Sequence, residues 1–286
     1  MRSATQTAAS CWACGGPAAP SEEYAAAGLL SCGACGLLFD PGRSAGELHE
    51  LYDQSYFEDY SGDRGAYWDD PLARRFEARK RLRWVRRHGG SGRLLEIGCA
   101  AGYFLEAARD AGFEVLGVEP EPTAAGRARE RTGAEVLVGF VEDVKLPERP
   151  FDFAAAWHVL EHIPEPIGAI ERIRAALRPG GLLFVEVPNA QGHNARREGL
   201  DWQPLELTHH VAHYGPESLR GLLARAGFEV LLTRTYEFAA LTPWRRQLNP
   251  HTVLHHAVET LRKRTPTLLP HPSRHDLLRA VARRPE

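Results

Sequence analysis

Three sets of residues have types and spacings that could do chemistry. The first is Leu94 to Gly102, Leu-Leu-Glu-Ile-Gly-Cys-Ala-Ala-Gly, with an acidic residue, Glu119, at the end of the next apolar run. An apolar strand that stops at a glycine-rich turn and enters a helix lets a backbone approach a nucleotide-like ligand closely. A carboxylate ending the neighbouring strand can hold a ribose diol. The glycine spacing, Gly98-x-x-x-Gly102, is not the G-x-G-x-x-G of dinucleotide folds. The second set is Cys11, Cys14, Cys32 and Cys35: C-x2-C, seventeen residues, then C-x2-C. Each pair can chelate through a tight turn, with Gly15, Gly16, Gly33 and Gly36 supplying positive-φ positions. Four thiolates point to structural Zn2+ in a closed site with no chemistry of its own. Two disulfides or four free thiols are the alternative, and a cytoplasmic chain disfavours disulfides. The third set is histidine-rich: His209-His210-Val-Ala-His213-Tyr214, and His158-x-x-Glu161-His162. Imidazole is the side chain suited to proton removal near neutral pH.

The rest of the chain must position these groups. It has 286 residues, enough for one large domain and a small appendage. Its 43% apolar and 25% charged residues are those of an ordinary globular protein. The formal charge of -2 gives no global field for nucleic acid. No eighteen-residue apolar run predicts a membrane span, and the N-terminus lacks the apolar core of a signal peptide, so the expected location is the cytoplasm. From Arg93 onward, apolar runs alternate with helical patterns. Strands are expected at Arg93–Gly98, Glu114–Glu119, Glu135–Gly139, Phe151–Trp157, Leu182–Val187 and Phe228–Tyr236. Helices are expected at Leu72–His88, Tyr103–Ala111, Thr123–Arg131, Ile167–Leu177 and Pro216–Ala226. The alternation implies an α/β fold, a parallel sheet with helices on both faces. Arg178-Pro-Gly-Gly181 is expected to end one helix sharply before the fifth strand. The many arginines of the Leu72–His88 helix are read as a solvated face.

The stretch Glu96–Gly102, Glu119 and the strand Phe151–His162 together resemble class I S-adenosylmethionine (SAM) methyltransferases over about Leu94 to Arg283. The resemblance implies a Rossmann-like sheet of seven strands, the last antiparallel and formed by Asp276–Arg283. Residues 238–275 would then be a helical insertion before that strand, serving as a lid or a homodimer contact. The implied division is a zinc ribbon at 1–42, a linker with cap helices at 43–90, and a SAM-binding domain at 91–286. Gly98 and Gly102 match the glycines passing the methionine part of SAM, and Glu96 the acidic residue near its amino end. Glu119, followed by Pro120, matches the ribose carboxylate. Phe140 takes the place of the usual adenine-binding aspartate and could stack on the ring beside Val141, with Glu142 or Asp143 as second choices. Trp157 and His158 fall where cofactor sulfur and acceptor should meet. Cys99 lies in the turn, where packing is its simpler role.

His210 matches the family's late histidine, with Tyr214 in the aromatic place. It is the expected base, with His213 and His158 as alternatives. His158, Glu161 and His162 plus a later histidine also resemble the metal group of some metal-dependent O-methyltransferases. With a ribbon and the aromatic residues Tyr52, Tyr56, Phe57 and Tyr60, the chain is similar to bacterial secondary-metabolite and sugar-biosynthesis methyltransferases. The expected partner is a small-molecule acceptor, a natural product or nucleotide-linked sugar. An rRNA or tRNA base methyltransferase is the competing reading; the near-neutral charge argues against it.

Overall fold

A computed structural model of the chain describes residues 9–51, 71–236 and 276–286. The aromatic segment at 52–60 and the insertion at 238–275, with its expected helix, lie outside the described residues. The ribbon contributes β1 (Ala9–Ser10), β2 (Pro17–Pro20), β3 (Leu30–Cys32) and β4 (Leu38–Phe39), followed by α1 (Ala45–Leu51) and α2 (Pro71–Val85). Then come β5 (Arg93–Ile97), α3 (Tyr103–Asp110), β6 (Glu114–Glu119), α4 (Pro122–Thr132), β7 (Glu135–Val138), β8 (Phe151–Trp157), α5 (Ile167–Ala176) and β9 (Leu177–Pro188). The chain continues through α6 (His193–Glu198), β10 (Ala212–His213), α7 (Pro216–Arg225), β11 (Glu229–Tyr236) and β12 (Leu277–Arg283).

Seven strands form the main sheet in the order β11-β12-β9-β8-β5-β6-β7. The pairs β9/β8, β8/β5, β5/β6 and β6/β7 are parallel, and β12 runs antiparallel to both β9 and β11. This is the Rossmann-like α/β fold the resemblance implies. Because side chains alternate across a strand, β8 feeds two cores. Phe153, Ala155 and Trp157 join the layer with α2, α3 and α4. Ala154 and Ala156 join the other, with α5, α7 and the ribbon. Among the described residues, no helix is long and apolar enough to cross a membrane.

Local chemistry explains where the site-forming elements start and stop. Glu121 caps α4, accepting from Thr123 N–H at 2.9 Å and Ala124 N–H at 2.6 Å, with Pro122 at the first helical position. The Arg178–Gly181 stretch departs from expectation. The helix does end at Ala176, but β9 begins at once, at Leu177. Gly180 N–H donates to Arg284 O at 2.9 Å and Arg284 N–H to Gly181 O at 2.8 Å. The distant end of the chain therefore recruits residues whose local chemistry signals a turn.

The ribbon departs from an isolated appendage in one respect. Its sheet has five strands, β1-β2-β3-β4-β10, and the fifth comes from the histidine segment itself. Ala212 pairs with Phe39 and His213 with Leu38, antiparallel.

Candidate active site

The glycine turn depends on backbone geometry that only small residues tolerate. Gly98 and Gly102 have φ of 67° and 77°, in the left-handed region. A Cβ on Gly102 would lie 2.9 Å from the Cα and Cβ of Ala128 in α4. Ala100 also has positive φ, 46°, which is rare for alanine. That conformation aims its N–H at Glu119, where Oε2 accepts at 2.8 Å; Oε1 accepts from Glu121 N–H at 3.1 Å. Glu119 therefore stands rigidly at the carboxyl end of β6, beside the turn. Burial pushes its carboxyl up to about 7, against the lowering effect of the Glu121 and Ala100 N–H groups.

Glu96, one strand over on β5, is 3% exposed. Its carboxyl is held well above the usual range, chiefly by burial, with Arg81 opposing and Glu119 adding to the rise. Among the described residues its Oε2 has no hydrogen-bond partner. A buried acceptor left unpaired is costly unless a ligand completes it. The orphaned Glu96 oxygen, the fixed Glu119 carboxylate and the glycine turn together fit a ligand with an ammonium group and a ribose diol, as SAM has. Cys99 is buried in the turn, its thiol raised well above its ordinary value by burial and by Glu119 and Glu96; it packs and does not react. Pro120 continues the chain from Glu119 into the Glu121 cap. Beyond β7, half-buried Phe140 opens a turn closed by its carbonyl, which accepts from Asp143 and Val144 N–H at 3.0 Å. Arg172 fixes this turn by donating to Val141 O at 2.8 Å and Val144 O at 2.7 Å.

At the end of β8 the two adjacent candidates part. The Trp157 indole packs into an aromatic layer, 5.1 Å from Phe104 and 5.8 Å from Trp84 between centroids, with Arg81 5.2 Å over its ring. His158 has φ of 56° and is held by its own N–H donating to Glu186 O at 2.8 Å. Its Nδ1 lies 3.2 Å from Glu161 and its Nε2 3.3 Å from Glu186. Burial would lower its pKa, but the two carboxylates outweigh that and raise it to about 10. His158 is thus an imidazolium with both nitrogens occupied.

Glu186 is the hub of this arrangement and was missed by sequence reasoning. It is fully buried and accepts from Arg81 Nε at 3.0 Å and Nη2 at 2.6 Å, and from Arg279 of β12. Burial would raise its carboxyl; Arg81, His158 and Arg279 hold it well below the usual range instead. An acid inside the apolar run of β9 and an arginine inside that of β12 were available signals. Arg81 gave none, since it is one arginine among many on a helix read as solvated. That reading is corrected for Arg81, which turns inward.

The histidine segment sits against the residues that follow β8. Val211 N–H donates to Glu161 O at 2.8 Å and Tyr214 OH to Leu160 O at 3.2 Å. His210 Nδ1 is 2.8 Å from Pro204 O, so it carries the ring proton and leaves the Nε2 lone pair for another partner. The His210 ring meets His162 edge-on at 4.5 Å. His213 is buried and driven down to about 3 by burial and by His210, which keeps it neutral. The ligand atoms of Glu161, His162 and His210 lie within 4.8 Å of one another. The cluster includes His210 and not His158, whose two ring nitrogens face Glu161 and Glu186.

The four ribbon thiols also converge. Cys11 and Cys35 Sγ are 3.5 Å apart, as are Cys14 and Cys32, and all four lie within 4.8 Å of one another. Zn–S bonds of about 2.3 Å give a tetrahedral S···S edge of about 3.8 Å, whereas a disulfide needs about 2.05 Å. The set therefore fits a tetrahedral ion. Gly15 and Gly36 supply the positive φ of the two turns; Gly16 and Gly33 do not.

Comparison with known proteins agrees with this geometry. A family described as methyltransferase domain matches residues 60–233, more than half of the chain. Ubiquinone biosynthesis O-methyltransferase of Methylocella silvestris is 32% identical over 133 residues, 44% of this chain and 52% of that protein. The chain spans about half the length of the curated relatives it matches. Among solved structures it is similar to N-methyltransferase NodS from Bradyrhizobium japonicum in complex with S-adenosyl-L-homocysteine, with TM-score 0.53 and 21% identity over 82% of this chain and 98% of that one. It is also similar to the 1,6-didemethyltoxoflavin-N1-methyltransferase of Burkholderia thailandensis, with TM-score 0.57 and 17% identity over 89% and 97% of the two chains. At these identities the structural likeness concerns the fold. On the family match, the chain belongs to the methyltransferase-domain family.

Proposed function

We propose that the chain transfers a methyl group from SAM to an oxygen or carbon nucleophile of a small-molecule acceptor, with His210 as the base. The observation that carries this reading is Glu119, fixed by two backbone N–H groups at the mouth of the glycine turn, with the orphaned Glu96 on the adjacent strand. When bound, SAM supplies a methyl group already activated on a sulfonium, so the protein's part is orientation, desolvation and proton removal. Glu119 accepts from the ribose hydroxyls and Glu96 from the amino end. Phe140 and Val141 cover the adenine. His210, its Nδ1 proton committed to Pro204, takes the acceptor proton on Nε2. Cys11, Cys14, Cys32 and Cys35 hold structural Zn2+, which supplies folding energy to the ribbon. The acceptor class is a natural product or nucleotide-linked sugar.

A second reading is favoured by one observation, the convergence of Glu161, His162 and His210. These residues would hold a divalent cation that lowers the pKa of an acceptor hydroxyl. Activity that survives prolonged chelation, with the ribbon zinc retained, excludes it.

Calorimetric titration with S-adenosylhomocysteine tests the cofactor; absence of binding at millimolar ligand overturns the proposal. A mass-spectrometric screen of nucleotide sugars and hydroxylated metabolites then supplies the acceptor. With it, His210→Ala and His210→Gln should each lower kcat at least ~100-fold while S-adenosylhomocysteine affinity holds within a few-fold. Full turnover in both removes His210 from the role. Metal analysis of purified protein giving less than half an equivalent of zinc, with four freely titrating thiols, removes the ribbon ion.

A further inference from the structure

We propose that the ribbon is the positioning element for the histidine segment, so that zinc in the four-thiolate site fixes where His210 stands against Glu161 and His162. The functional consequence rests on the reading of His210 given above; the mechanical coupling does not.

The pivot is Val211. Its carbonyl accepts from Asp40 N–H of the ribbon at 2.9 Å, and its N–H donates to Glu161 O at 2.8 Å. One residue on, Ala212 and His213 pair with Phe39 and Leu38 as the fifth strand of the ribbon sheet. His210 is therefore the residue immediately before a backbone clamped on both sides, by the ribbon and by the turn after β8. The ribbon is in turn tied to α7, where Arg225 Nη1 donates to Trp12 O at 3.2 Å and Cys11 O at 3.4 Å. The apolar contacts run the same way. Cys11, Cys32, Cys35, Leu37 and Phe39 share one core with Ala212 and Tyr214.

Strands of two to four residues are too short to stand alone, and the ribbon's buried residues pack into cores shared with the rest of the chain, one with Ala212 and Tyr214 and one with Ala195, Trp202 and Leu205. The thiolate site is what makes it rigid. Without the ion, the wall that holds Val211 O and the edge of β10 loosens, and the segment carrying His210 loses one of its two clamps. The hydrogen bonds that fix Glu119 come from Ala100 and Glu121, outside the ribbon, so cofactor affinity should be spared.

Hydrogen exchange on the full chain tests this, comparing zinc-loaded protein with protein stripped by a mercurial and a chelator. Amides in 206–214 should exchange at least ten-fold faster in the stripped protein. A control peptide over 114–132 should be unchanged, and S-adenosylhomocysteine affinity should stay within three-fold. Unchanged exchange at 206–214 overturns the proposal. So does equal loss of protection in both peptides, which would make the ion a support of the whole fold. Arg225→Met provides a second arm that leaves the thiolates in place: bound zinc should be unchanged while exchange at 206–214 rises at least three-fold, and no rise overturns the coupling. If the ligand does not bind even to loaded protein, the SAM reading fails while the exchange result still decides the coupling.

Discussion

Glu119→Gln should weaken S-adenosylhomocysteine binding about 100-fold. Each carboxylate oxygen has two acceptor sites, and in Glu119 one site on each is taken, by Ala100 N–H at 2.8 Å and Glu121 N–H at 3.1 Å. One site on each oxygen is left for a ribose hydroxyl. Hydrogen bonds to a charged acceptor are worth about 1.5–3 kcal/mol each. In the glutamine variant an NH2 group replaces one oxygen and faces a backbone N–H, donor against donor. The ribose loses that acceptor outright, and the other bond loses its charge. The sum is about 3 kcal/mol, or two decades at about 1.4 kcal/mol per decade.

The same group sets a pH dependence. Burial raises the Glu119 carboxyl from 4.5 to about 7 in the free protein, and only the ionised form accepts strongly from the ribose. Affinity is therefore full above pH 7 and is lost as pH falls through it, by about ten-fold between pH 8 and pH 6. Calorimetry at pH 6.5 in buffers of different ionisation enthalpy should show about 0.8 proton released by Glu119 per ligand bound. Glu119→Gln should show neither the slope nor that proton. A flat affinity from pH 6 to pH 8 in the wild type, or a variant binding within three-fold of it, refutes the reasoning.

Three further outcomes follow from the packing. Gly102→Ala forces a Cβ to 2.9 Å from the Ala128 backbone at φ of 77°; urea denaturation should show a loss of about 2 kcal/mol or more, and wild-type stability would contradict the cradle. Glu186→Ala leaves Arg81, Arg279 and the His158 imidazolium without their shared carboxylate, which should cost about 3–5 kcal/mol; a loss below 1 kcal/mol would show that the hub is not needed. Because the folded-state pKa of His158 is raised to about 10 from 6.5, its contribution is fully present below pH 6.5 and is lost as pH rises through 10. The urea midpoint should fall from pH 8 to pH 10 more steeply in wild type than in His158→Gln, and parallel profiles would count against the clamp.

Much of the main sheet was legible because its strands are buried on both faces and read as apolar runs. Glu114–Glu119 and Phe151–Trp157 match to the residue. The glycine turn and Glu119 were legible because backbone approach and a strand-end carboxylate demand those residue types at that spacing. Pairings that carry no local signal were not legible. β10 is two residues long and finds its partner in the ribbon, far back in the chain. Leu177–Gly181 signals a turn locally, yet joins β9 because β12 ends beside it. Ala100 is hidden for a different reason: its left-handed φ goes with the hydrogen bond it donates to a carboxylate on the next strand.

The division of labour between His158 and His210 also follows from partners rather than from sequence position. A base must present a lone pair. With a pKa of about 10, only about one His158 in 300 is deprotonated at pH 7.5, and both its nitrogens already face carboxylates. It pairs with Glu161 and Glu186 at the point where β8 ends in a left-handed residue. His210 has one nitrogen tied to a backbone carbonyl, which acts as a hydrogen-bond acceptor and fixes the tautomer without supplying a full negative charge. Two carboxylates hold His158 as a cation; the Pro204 carbonyl fixes which nitrogen of His210 carries the proton. The strand-end histidine that the motif offers first is therefore the poorer candidate, and the later one, held in place from across the fold, is the better.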